Sequence, residues 1–135
     1  MSVQLYWHIH QRAFRLEKRA DELLRMNTSI GFAQYKVLAA VGRNTLIKQN
    51  VVAELLNQTE ASISRQVHIL EKKQLLTIGT VMGNRRAREL ALTELGEETL
   101  RSSERIIDEV QSSILQSMSE SERRMLESLV ERIAQ

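Results

Sequence analysis

From Gln58 to Thr93 the hydrophobic period changes from helical to alternating, and few small folds accept that switch. Thr59 stands where a hydroxyl caps a helix, and the pattern then runs to about Lys73. At roughly 100° per residue, Ile63, Val67 and Leu70 form one narrow apolar stripe, while Ala61, Arg65, His68, Ile69 and Lys72 point the other way. Leu75 to Val81 and Ala87 to Leu92 are rich in Leu, Ile, Val and Thr, and Met82-Gly83-Asn84-Arg85-Arg86 between them has turn character. A packed helix leading into a two-stranded hairpin predicts a mainly α chain with a small β wing. The hairpin tip carries Arg85 and Arg86, with Arg88 just inside the second strand.

These residue types suit a nucleic-acid surface. Small side chains at Ala61, Ser62 and Ser64 let the helix backbone approach a groove floor, where the fork of Arg65 matches guanine O6 and N7. On the second strand Arg88, Leu90 and Leu92 share a face by the two-residue period, so the apolar pair can lie on the helices while the tip projects. A narrow minor groove has enhanced negative potential that attracts guanidinium groups. A basic helix face alone is equally well explained by solvation; the arginine-tipped hairpin beside it favours DNA.

The segments before the wing read as helices. The first spans about Val3 to Arg25, and its stripe of Leu5, Ile9, Ala13, Leu16, Ala20 and Leu23 is expected to be core. Trp7 and Phe14 form a second apolar surface, which a partner subunit or later helices of the same chain would cover. His8 and His10 are two residues apart, which on a helix points them away from each other, so a metal site is not expected. A polar break at Asn27-Thr28-Ser29 and Gly31 precedes a helix from about Phe32 to Val41 that ends at Gly42, with Tyr35, Leu38 and Ala39 packing. Asn50 to Asn57 reads as a short helix with Val51, Val52, Leu55 and Leu56 inward, and Ala53 leaving room for the next helix. The short connection around Asn57 and Gln58 makes this pair a helix-turn-helix.

After the wing, Thr93 can cap a long helix carrying Leu100, Ile106, Ile107, Val110 and Ile114 to about Met118. Ser119-Glu120-Ser121-Glu122 has the capping-box pattern, and the closing helix bears Met125, Leu126, Leu129, Val130 and Ile133 on one stripe. No sheet beyond the wing exists to receive these stripes, so a symmetry mate is their natural cover.

Charge separates the two ends. Residues 1 to 57 hold eight basic and four acidic side chains, residues 58 to 93 six and three, and residues 94 to 135 five and ten, within a net +2. An acidic C-terminal part is repelled by phosphates and is therefore expected to serve assembly. There is no cysteine, which excludes a disulfide framework and a thiolate metal site and suits a reducing cytoplasm. No stretch approaches the ~20 apolar residues of a membrane span, and no leader pattern opens the chain. Glycine-rich phosphate loops, a nucleophile elbow and a histidine pair four apart with a carboxylate are all missing, so neither an enzyme nor a cofactor is expected.

The ordered run of Val52-Ala53, Ser62-Ile63-Ser64-Arg65, Leu70-Glu71-Lys72-Lys73, Asn84-Arg85-Arg86-Ala87 and Leu92-Thr93-Glu94-Leu95-Gly96 resembles the MarR family of bacterial winged-helix regulators. The resemblance extends more loosely over nearly the whole chain, because Gln34-Tyr35-Lys36-Val37-Leu38 is similar to the family's second helix. It implies a homodimer on palindromic double-stranded DNA, with Ser62, Ser64, Arg65 and His68 on the contacting helix and Arg86 as the minor-groove arginine. It also implies that a small aromatic anion acts as effector, as in many relatives, between the dimerisation helices and the winged part. No pocket residue is legible. Four residues depart from the family: Asn84 replaces an aspartate that orients the wing arginine, Gln74 replaces a glycine that ends the recognition helix, and Ile78 and Gly79 replace basic residues of the first wing strand.

The expectation is therefore one domain over residues 1 to 135. The winged helix-turn-helix occupies 32 to 93, and the dimerisation helices 1 to 26 and 94 to 135. The expected DNA-contacting residues are Ser62, Ser64, Arg65, His68 and Lys72 on the helix, with Asn84, Arg85, Arg86 and Arg88 on the hairpin. Trp7, Phe14, Met125, Leu129 and Ile133 are expected at the dimer interface. A helical dimer that serves only as a protein-interaction adaptor is the competing class. Salt-dependent binding to duplex DNA separates the two.

Overall fold

The structure, a computed structural model, describes residues 3–81 and 83–133; the side chains of Val81, Asn84, Arg85 and Arg86 lie outside the description. The elements follow the order α1 (Gln4–Asn27), α2 (Phe32–Gly42), β1 (Ile47–Lys48), α3 (Gln49–Leu55), α4 (Glu60–Lys72), β2 (Leu76–Val81), β3 (Asn84–Leu92), α5 (Glu94–Leu115) and α6 (Glu120–Ile133). This is the mainly α, winged helix-turn-helix architecture read from the sequence.

The core lies where α2, α3 and α4 meet the sheet. Val37, Leu38 and Val41 of α2, Val52 of α3, Ile63, Val67 and Leu70 of α4, and Leu90 of β3 are fully buried. Each such side chain contributes about 1.5–3 kcal/mol relative to exposure, an upper figure because unfolded chains already bury part of their surface. Ala53 is buried as well, and its small side chain lets α3 and α4 pack closely.

Local chemistry sets the helix ends. Thr59 Oγ1 accepts from Ser62 N at 3.1 Å, and Thr93 Oγ1 accepts from Gly96 N at 3.0 Å. At Ser119 the capping box is complete: Ser119 Oγ accepts from Glu122 N, and Ser119 N donates to Glu122 Oε1. Gln74, just past the Lys73 C-cap of α4, has φ 62°, in the left-handed region that glycine occupies without penalty.

The sheet has the order β1-β3-β2, all antiparallel. Strand β1 was not expected: two residues, Ile47 and Lys48, show no period, and only their pairing with Leu90 and Glu89 reveals them. The hairpin turn is also tighter than expected. Val81 pairs with Asn84, so Asn84 to Arg86 belong to the β3 backbone, and a register shift falls between Thr80 and Val81. Gly83, between the two strands, has φ 83°, in the left-handed region that glycine occupies without penalty.

Two packing expectations need correction. The expected α1 stripe is core only near its C-terminal end: Ala20 is buried and Leu23 half-buried, whereas Leu5, Ile9, Ala13 and Leu16 are exposed, because among the described residues nothing covers the N-terminal turns; the buried position of the last turns is Leu24, next to Leu23. In α3, Leu55 is exposed; Val52 and Leu56, four residues apart, take the inward stripe and leave Leu55 one residue round the helix.

Candidate nucleic-acid interface

Helix α4 is divided by its own periodicity. Its inward face is the stripe of Ile63, Val67 and Leu70, and Ala61, Arg65, His68 and Lys72 are exposed on the outward side. Ser62 and Ser64 are half-buried at the margins, and Ser62 Oγ donates to Gln58 Oε1 at 3.2 Å. Ile69 is half-buried and so closes one edge of the outward face. Among the described residues nothing pairs with Arg65, which leaves its five N–H donors to solvent or a ligand.

Beside α4 stands the hairpin. Arg88 is exposed opposite Thr80, one residue beyond Glu89, which pairs with Gly79. Asn84, Arg85 and Arg86 are placed by backbone in the first residues of β3, and their side-chain arrangement lies outside the described residues. The structure thus brings Arg65, His68, Lys72 and Arg88 onto exposed positions of two neighbouring elements, α4 and the β2-β3 hairpin it packs against.

The hairpin is fastened to α5 through backbone. Thr93 Oγ1 donates to Gln74 O at 2.6 Å, and Thr93 N donates to Leu75 O at 3.1 Å. A Cβ at Gly96 would lie 1.9 Å from Leu75 O, so no other residue fits without displacing main chain. The Leu92-to-Gly96 run in the sequence is thus a junction that needs both its threonine and its glycine.

The expected interface residues are all exposed: Trp7 54%, Phe14 61%, Met125 62%, Leu129 43% and Ile133 63%. Helix α6 has no buried residue. On α1, Trp7 stands edge-on to both Tyr6 and His10, at 5.6 and 6.0 Å between ring centroids, and Tyr6 stacks on His10 at 6.4 Å. The sequence reading missed Tyr6, which is 68% exposed and belongs to the same cluster; its i, i+1 relation to Trp7 was the available signal.

A cleft of about 490 Å³ opens where the end of α2 and the loop after it face β3 and α5. Its lining joins Arg43, Asn44 and Thr45 after α2 with Leu92 of β3 and with Glu97, Leu100, Arg101 and Glu104 of α5. Nearby, burial first and then the Glu104 carboxylate push the Tyr35 phenol up, against a smaller opposite effect of Arg43. Among the described residues no cluster of His, Asp or Glu could hold a metal ion, and no helix is long and apolar enough to cross a membrane.

A helix-turn-helix, a three-stranded wing and long helices at both ends define the winged-helix class of folds. No family model and no curated protein sequence matches the chain. Solved structures do match. A mutant MarR from E. coli complexed with operator DNA is 18% identical and superposes with a TM-score of 0.87, over 97% of this chain and 94% of that one. Sco3205, a MarR family transcriptional regulator from Streptomyces coelicolor in complex with DNA, is 19% identical with a TM-score of 0.86, over 97% and 84%. The S. aureus MepR–DNA complex is 20% identical with a TM-score of 0.86, over 96% and 95%. The chain has the fold of these proteins along nearly its whole length.

Proposed function

We propose that the chain is a MarR-like transcriptional regulator that binds palindromic duplex DNA as a homodimer, with α4 in the major groove and the wing at the minor groove. The observation that carries this is the division of α4: a fully buried stripe of Ile63, Val67 and Leu70 behind an outward face holding Arg65, His68 and Lys72. It stands in a fold whose solved examples include three held with DNA. On this reading Arg65 reads a base edge, Ser62, Ser64, His68 and Lys72 contact bases or phosphates, and Arg85, Arg86 and Arg88 meet the backbone and minor groove, with Asn84 beside Arg86.

The second copy is argued from burial and charge. α1 leaves Trp7, Phe14 and its Leu5–Ile9 stripe uncovered, and α6 leaves its whole apolar stripe uncovered. The C-terminal helices carry ten acidic against five basic side chains, whereas residues 1 to 57 carry the reverse excess, so antiparallel pairing of two copies brings opposite charge together. We assign a small aromatic anion, as effector, to the cleft lined by Leu92 and Leu100, where Arg43 and Arg101 are the groups open to its charge and Glu97 and Glu104 stand in the same lining.

Titration of labelled duplex DNA at several salt concentrations tests the reading. The logarithm of affinity should fall linearly with the logarithm of salt, by about 0.9 per neutralised phosphate. Affinity that is absent, or insensitive to salt, would favour the protein-interaction adaptor.

A further inference from the structure

We propose that Gln66 and Lys73 are positioning residues for DNA recognition, two polar anchors that fix the rotation and tilt of α4 against the turn joining α1 to α2. The proposal rests on the DNA-binding reading above and adds the means by which the reading helix is aimed.

The aliphatic stripe of α4 cannot do this alone. Hydrophobic burial is non-directional, so Ile63, Val67 and Leu70 set how deeply the helix sits but restrain its rotation weakly. Hydrogen bonds are directional. Gln66, adjacent to Arg65 in sequence, accepts at Oε1 from Gln34 Nε2 at 2.7 Å. Gln34 is buried on α2, and its own Oε1 is already held by Gly31 N at 2.8 Å. The amide of Gln34 can therefore present only its NH₂ to α4, and Gln66 must answer with an acceptor. Seven residues later, two helical turns on and on the same side, Lys73 Nζ donates to the Ser29 carbonyl. Two anchors about 10 Å apart along a helix define its direction as well as its rotation.

The turn they grip is itself held from α1. Asp21 Oδ1 accepts from Phe32 N at 2.9 Å, and Arg25 Nε donates to Asp21 Oδ2 at 3.0 Å. A Cβ at Gly31 would stand 2.5 Å from Asp21 Oδ1 and 2.6 Å from the Arg25 guanidinium, so glycine is what lets the ion pair reach the turn. A continuous polar path thus runs from α1, through 29–34, to α4.

The test measures affinity for a selected operator and for random duplex, together with thermal unfolding, on the full chain. Gln66→Met keeps length and loses the acceptor; Gln66→Glu keeps an acceptor. The operator-to-random ratio should fall roughly tenfold in Gln66→Met, comparable to one mismatched base pair, with random-duplex affinity unchanged, and Gln66→Glu should restore most of it. Lys73→Met, at an exposed site that does not threaten folding, should lower the ratio about threefold, and Lys73→Arg should restore it. A lower unfolding midpoint with an unchanged ratio overturns the positioning role, as does an equal loss on operator and random DNA, which marks a phosphate contact. Wild-type protein with no salt-dependent duplex binding overturns the DNA-binding reading itself, and the positioning role falls with it.

Discussion

Single residues show where this chain departs from the least costly solution. Gln74 holds φ 62° just past the C-cap of α4, where an L side chain costs about 1 kcal/mol or more and glycine costs little. Gln74→Gly should therefore stabilise the protein by about 0.5–1 kcal/mol, after the greater freedom of glycine in the unfolded chain is deducted. Urea unfolding at one fixed protein concentration measures it, and a loss of stability would contradict the assignment of strain. Asp21 gives a pH test. Its bond from Phe32 N, opposed by partial burial and aided by Arg25, holds the carboxyl below the ordinary aspartate range. The folded state consequently binds fewer protons than the unfolded chain: the stabilisation is complete above about pH 4 and disappears as pH falls through the lower folded value. Asp21→Asn should reduce stability at neutral pH, and the difference from wild type should shrink as pH falls through the lowered folded value.

At the scale of elements, α4 and the wing were legible because their periods are clean. Ile63, Val67 and Leu70 recur at helical spacing and are buried, and the threonine caps at Thr59 and Thr93 act as their sequence contexts indicate. The two-residue β1 was not legible, since Ile47-Lys48 becomes a strand only through pairing with β3. The exposed length of α1 was not legible either: periodicity shows that Leu5, Ile9 and Leu16 share a stripe but not what covers it. Of the candidate site, the outward face of α4 could be read residue by residue, whereas Gln66 looked unremarkable until its partner on α2 was known. Arg65→Ala should cost about 1–3 kcal/mol of operator binding and relax preference at one position in each half-site; equal losses on random DNA would reduce Arg65 to a phosphate contact. Gly96→Ala should destabilise by about 1–3 kcal/mol or more, because the methyl group meets the rigid Leu75 carbonyl. An unchanged urea midpoint would show that the junction yields.

For the whole molecule, the proposed homodimer would cover the exposed faces of α1 and α6 and so tie stability to self-association. Folding should strengthen with protein concentration, and sedimentation at micromolar concentration should report a dimer. A monomer that keeps the same unfolding midpoint over a hundredfold dilution would contradict this, and the faces would then need another occupant. The junction at Thr93 and Gly96 also has a mechanical meaning. Since Leu75 meets the start of α5 main chain to main chain, the end of α4, the wing and the start of α5 are expected to move as one arm. α5 spans Glu94–Leu115, a lever of roughly 33 Å at 1.5 Å per residue. On the proposed dimeric, DNA-binding reading, a tilt of about 5° at its far end would swing the DNA-facing end by roughly 3 Å, close to the rise of one base pair, and so change which groove positions two such arms could reach together.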